Sequence, residues 1–120
     1  MKRALALIVV CGLLVAVTPV SAHHSTAMYT GSKTVTGKVV KFEWTNPHAH
    51  MYIETKDEKG NTVIWDCEMM SLNHLRGYGW TSKTVKPGDT ISATGAFARS
   101  GDPSMIASRM KLGDGREIPS

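Results

Sequence analysis

Cysteine is nearly absent from this sequence: Cys11 and Cys67 are the only two. Cys11 lies in an N-terminal segment whose pattern marks it for removal, so Cys67 is left without an intrachain partner and no disulfide framework is available. Stability must come from packing or from a ligand. Clustered charge of one sign is also lacking. Lys56-Asp57-Glu58-Lys59 alternates sign, as a solvated surface does, and no basic face of the kind that meets nucleic acid is visible. Nor is there an apolar run long enough to cross a bilayer. The run from Ala4 to Val17 has 14 residues, short of the ~20 that a membrane helix needs.

What that run does resemble is the middle of a secretory signal. Lys2 and Arg3 supply the positive start, and Thr18-Pro19-Val20-Ser21-Ala22 breaks the apolar stretch with small residues at the −3 and −1 positions. Val10 before Cys11, where a lipoprotein signal wants a small residue, argues against lipidation. Cleavage after Ala22 leaves 98 residues beginning at His23, enough for one small domain. With Lys2 and Arg3 gone, 12 basic and 10 acidic residues remain and the net charge is +2. Residues 1–22 are thus read as a signal peptide, 23–32 as a polar lead and 33–120 as the folded domain, periplasmic or secreted.

The domain reads as short strands. Lys33 to Trp44 is the first. Val40, Phe42 and Trp44 share one face, Val35 and Val39 the other, and Gly37 between them suggests a bulge or bend. Pro47 disfavours helix at Asn46 and predicts a turn. His50 to Lys56 is a second strand, with Met51 and Ile53 inward and Tyr52 outward. Asp57 to Asn61 is a hairpin loop, and Thr62 to Met69 a third strand with Val63, Trp65, Cys67 and Met69 in phase. Ser71 predicts an N-cap for a short helix carrying Leu72 and Leu75, closed by Gly77 and Gly79. Lys86-Pro87-Gly88-Asp89 fits a type II turn. A fourth strand carries Ile91, Ala93, Gly95 and Phe97, and a fifth places Ile106, Ser108, Met110 and Leu112 inward. Three strands, a short helix and two strands, with a long bent first strand, is the order of a five-stranded OB-like barrel. A sandwich of immunoglobulin type needs about seven strands.

Five segments together resemble a family of small exported bacterial proteins that is known as a domain of unknown function. They are Ala22-His23-His24-Ser25, Phe42 with Trp44 to His48, Ser71-x-Asn73, Gly79-Trp80 and Lys86-Pro87-Gly88-Asp89. The resemblance covers nearly the whole chain. It implies an exported, single-domain β-barrel and no particular activity. His23, His24 and His48 sit on its motifs, whereas His50 and His74 do not.

Four of the five histidines, His23, His24, His48 and His50, cluster in two short segments. Cleavage after Ala22 gives His23 a free amine beside its ring nitrogen, two donors on one residue. An imidazole from His48 or His24 completes a set of three nitrogens, which suits Cu(II). The amine titrates near ~8 and imidazole near ~6.5, so both are neutral ligands at small proton cost around neutral pH. The candidate metal ligands are therefore His23, His24 and His48, with His50 behind them. A plainer reading stands beside this one: polar residues on a terminus, and a loop histidine hydrogen-bonded to its own turn. Cys67, Met69 and Met70 are soft donors, but Cys67 and Met69 share the predicted core face of Val63 and Trp65, and core packing is the reading taken.

No serine or cysteine has a histidine placed for it, and Glu43, Glu54, Asp66 and Glu68 alternate with apolar residues as outward positions. The sequence therefore predicts a non-enzymatic, monomeric protein that holds copper. The alternative is a metal-free module that recognises an envelope protein, a peptide or a glycan. Nucleic acid is not an expected partner, and no membrane span is expected after signal cleavage.

Overall fold

Alternation of apolar and polar side chains dictates most of the strands, and hydrogen bonding between distant segments dictates the rest. The computed structural model describes residues 26–120. A 3-10 turn at Thr26–Met28 leads into β1 (Tyr29–Glu43). β2 (His50–Lys56) and β3 (Thr62–Glu68) follow, then α1 (Leu72–Gly77), β4 (Thr90–Ala98), β5 (Ser104–Lys111) and β6 (Glu117–Pro119). The described residues are mainly β with one short helix. Among the described residues no helix is long and apolar enough to cross a membrane. The expected signal peptide lies outside the described residues.

β1 pairs antiparallel with β2 on one side and with β4 on the other. β2–β3, β4–β5 and β5–β6 are also antiparallel. One pairing is parallel: Asp66, Cys67 and Glu68 of β3 run beside Ser104, Met105 and Ile106 of β5. Each strand from β1 to β5 therefore has a neighbour along both edges over part of its length.

The apolar side chains of these strands meet in one core. Val39, Met51, Ile53, Cys67, Ile91, Met105 and Met110 are all at most 2% exposed, and Leu72 and Leu75 of α1 join them. Trp80 is 1% exposed, and its Nε1 donates to the carbonyl of Pro119 at 2.8 Å. Trp65, expected in the core, is only partly buried against it, and so is Trp44.

Four local expectations are corrected. β1 begins at Tyr29, inside the stretch read as a polar lead, because Tyr29 and Thr30 pair with Ala98 and Phe97 of β4. Gly37 marks close approach, since a methyl group there would overlap the carbonyl oxygen of Glu54. The bulge falls at Val40, where the register jumps from Val39↔Ile53 to Lys41↔Tyr52. In β5, Met105 and Ala107 are buried, Ser108 and Arg109 are exposed, and Met110 is buried again. A register shift opposite Thr94 and Gly95 reverses the phase, so Ile106 and Ser108 do not point inward. Ser71 has the extended backbone of an N-cap but makes no side-chain cap bond; its Oγ is 3.1 Å from Nδ1 of His74.

The turn at Lys86-Pro87-Gly88-Asp89 forms as predicted. Gly88 has φ +93°, Asp89 N–H donates to the Lys86 carbonyl at 3.1 Å, and the turn is laced to β1. Val39 N–H donates to Asp89 O, and Gly88 N–H donates to Val39 O, both at 2.8 Å.

Candidate metal site

His48 follows the cis Asn46–Pro47 bond in the bend between β1 and β2. Backbone bonds on the next residue hold that bend against the end of β3: Ala49 N–H reaches Met70 O at 3.3 Å, and Met69 N–H reaches Ala49 O at 2.8 Å. Ala49 is fully buried. The His48 ring is thereby brought over the same segment, with Nδ1 2.9 Å from the carbonyl oxygen of Met69. A carbonyl only accepts, so Nδ1 carries the proton and Nε2 is the basic nitrogen of the neutral ring. Oε1 of Glu68 lies 3.9 Å from Nδ1, with the Glu68 side chain only 17% exposed.

His48, Glu68, Met69, Met70, Ile106 and Thr26 are among the residues lining one groove of about 300 Å³. Thr26 is three residues after His23 in the chain. His23 and His24, the other two sequence-predicted ligands, lie outside the described residues. Among the described residues no group of three or more His, Cys, Asp or Glu side chains is gathered as a metal cage.

His50, two residues on, has other partners. Its Nδ1 is 2.7 Å from Oδ1 of Asp66, and its ring stacks on Tyr52 with centroids 6.2 Å apart and planes at 18°. Tyr52 in turn donates to Oε2 of Glu43 at 3.3 Å. The Lys41 ammonium bonded to Glu43 holds that carboxyl below its ordinary range. Burial, with the charges of Asp66 and Glu43, raises the Tyr52 phenol. This polar row across β2 and β3 was invisible in the sequence beyond its outward parity, because the cross-strand register that joins His50 to Asp66 is a property of the fold. Glu68 was likewise read as an outward surface position. Its alternation with Cys67 was correct, but the loop that carries His48 half-covers it.

Cys67 is fully buried, and burial, reinforced by the neighbouring Asp66 charge, pushes its thiol up to about 12. Met69 is 2% exposed. A protonated thiol is a poor metal ligand, so these two side chains act as core, in agreement with their strand parity. His74 is exposed on α1 and contacts Ser71.

A search of the curated proteins finds no match to this chain. A family model described as a family of unknown function (DUF6152) matches residues 10–107. That span takes in the Phe42, Trp44–His48, Ser71-x-Asn73, Gly79-Trp80 and Lys86–Asp89 motifs as well as the His23-His24 pair, and the chain belongs to this family.

Proposed function

We propose that this is an exported, non-enzymatic, single-domain OB-like barrel that binds copper through His23 and His48, with His24 beside them. The barrel reading is supported by the pairing order β1–β2–β3–β5–β4, which returns to β1 and includes the parallel β3–β5 contact. Export is supported by the leader-like pattern of residues 1–22. The observation that carries the metal reading is that Thr26 and His48 line one groove. An extended chain advances at most ~3.3–3.6 Å per residue, so chain length alone ties His23 to within about 11 Å of Thr26, a residue of that groove.

The hydrogen bond from Nδ1 of His48 to Met69 O fits a ligand role. Metal-binding histidines ordinarily donate their second ring N–H to a carbonyl or carboxylate, which fixes the ring and leaves the other nitrogen to ligate. Two or three neutral nitrogens favour Cu(II), which stands at the top of the divalent affinity order. The half-buried Glu68 carboxylate adds negative charge next to the cation. The polar row of His50, Tyr52 and Asp66 plays no part in this site.

The test is made on protein expressed with its leader and isolated from the cell envelope, with intact mass establishing whether His23 is the first residue. Cu(II) titration is expected to give one tight site with nitrogen hyperfine structure in the EPR spectrum. His48→Ala should weaken it at least ~10-fold while leaving the circular dichroism unchanged, the loss expected when one of three nitrogen donors is removed. An alanine inserted before His23 should abolish it. Weak binding indifferent to both changes would sink the copper reading and leave the metal-free binding module in its place.

A further inference from the structure

A second concavity lies beside the bulge of β1. Val40 is the unpaired residue there. It is 40% exposed, while Val39 beside it is 2% exposed and both its backbone groups are bonded to the Lys86–Asp89 turn. The turn is thus fixed alongside the bulge and forms one wall of a groove of about 500 Å³. Its apolar lining residues are Val40, Phe42, Val85 and Pro87, and Ser82 is the uncharged polar one. Phe42 is backed by the buried Trp80 ring at 6.0 Å, and Val85 is 4% exposed, so the floor is not free to collapse.

Three lysines, Lys41, Lys83 and Lys86, stand around this apolar floor. Two are already matched. Lys41 pairs with Glu43, and Lys86 pairs with Asp89 at 3.1 Å. Lys83 has no ion-pair partner among the described residues, and the lining contains no carboxylate. A small-ligand site has this composition: mostly apolar walls, a few charged groups to orient the ligand, and a volume of roughly 300–1,000 Å³.

We propose that this groove binds a small amphiphilic anion of the alkyl carboxylate class, its chain along Val40, Phe42 and Val85 and its carboxylate at the ammonium of Lys83. One unmatched cation suits a single negative charge rather than a polyanion. A concave apolar floor suits one chain rather than a bilayer face, which would require protruding apolar side chains. The site is separate from the His48 groove, and its occupancy does not depend on copper.

Decanoate, decan-1-ol and lipid vesicles are titrated into the envelope-isolated protein, with the two small ligands below their aggregation limits, and amide chemical shifts are followed alongside calorimetry. Decanoate should bind one per chain, with shifts centred on Val40, Lys83 and Val85, and the alcohol should bind at least ~10-fold more weakly, the difference expected of one charge-assisted contact. Lys83→Ala should reduce decanoate affinity to that of the alcohol and leave the alcohol unchanged. Val40→Asp, at an exposed position, should remove both. Equal binding of acid and alcohol, decanoate affinity indifferent to Lys83→Ala, shifts centred elsewhere on the surface, or association with vesicles alone would each overturn the proposal. Should Val40→Asp fail to fold, the shift map and Lys83→Ala decide the question.

Discussion

At Cys67, burial and the Asp66 charge act in the same direction, and the thiol is pushed up to about 12 from an ordinary value of 9.0. The folded state therefore holds this proton more tightly than the unfolded chain does. The resulting stabilisation is fully present below about pH 9 and is lost as pH rises toward 12, at about 1.4 kcal/mol per pH unit. Urea midpoints should fall across that window, and Cys67→Ala should flatten the fall. A residual slope belongs to Tyr52, whose phenol is also raised. At pH 8 a thiol reagent should label Cys67 only when the protein unfolds; labelling of the native protein at the rate of a free thiol would contradict the burial. The core role of Cys67 was legible from strand parity alone. The environment of His48 was not: its loop position followed from Pro47, but the Met69 carbonyl and Glu68 that now surround it come from 20 or so residues along the chain, a distance no local pattern spans.

Elements show the same division. β2 starts and stops where alternation and the Asp57–Asn61 loop place it, because both signals lie within a few residues. β6 is only Glu117–Pro119, too short for any periodicity, and exists because Arg109, Met110 and Lys111 offer it an edge. The inward face of β5 was misread at Ile106 and Ser108, though not at Met110 and Leu112, for a related reason: the irregularity opposite Gly95 leaves no mark in β5 itself. At Gly37 and Gly95 the backbone of the neighbouring strand leaves no room for a side chain. A methyl group on Gly37 would overlap Glu54 O, and one on Gly95 would overlap Ile106 O. Neither obstacle is a flexible side chain, so the strands themselves must part. Gly37→Ala and Gly95→Ala should each destabilise toward the upper end of the ~1–3 kcal/mol range for overpacking, measured by urea denaturation. Gly77→Ala, where a methyl group meets nothing within 4 Å, should change stability little or raise it. Equal effects at all three positions would contradict the close approach.

For the molecule as a whole, the parallel contact of β3 with β5 decides whether β3 is left as an open edge. With it, Asp66 to Glu68 of β3 and Met105 and Ile106 of β5 lie between neighbours, and Asp66 N–H is bonded to Pro103 O at 2.9 Å. Hydrogen exchange should accordingly protect Asp66 as strongly as the central amides of β1 and β4. Exchange at Asp66 on the timescale of a frayed edge would contradict the contact. The same pairing also orders events in time. Asp66 meets Ser104, which is 38 residues later in the chain, so at ribosomal speeds of ~5–20 residues per second β3 waits about 2–8 s for its last partner to be made. Through that interval the chain has no complete set of neighbours to settle into. The Cys67 thiol is open to solvent during that wait, as it is not once the core has formed around it.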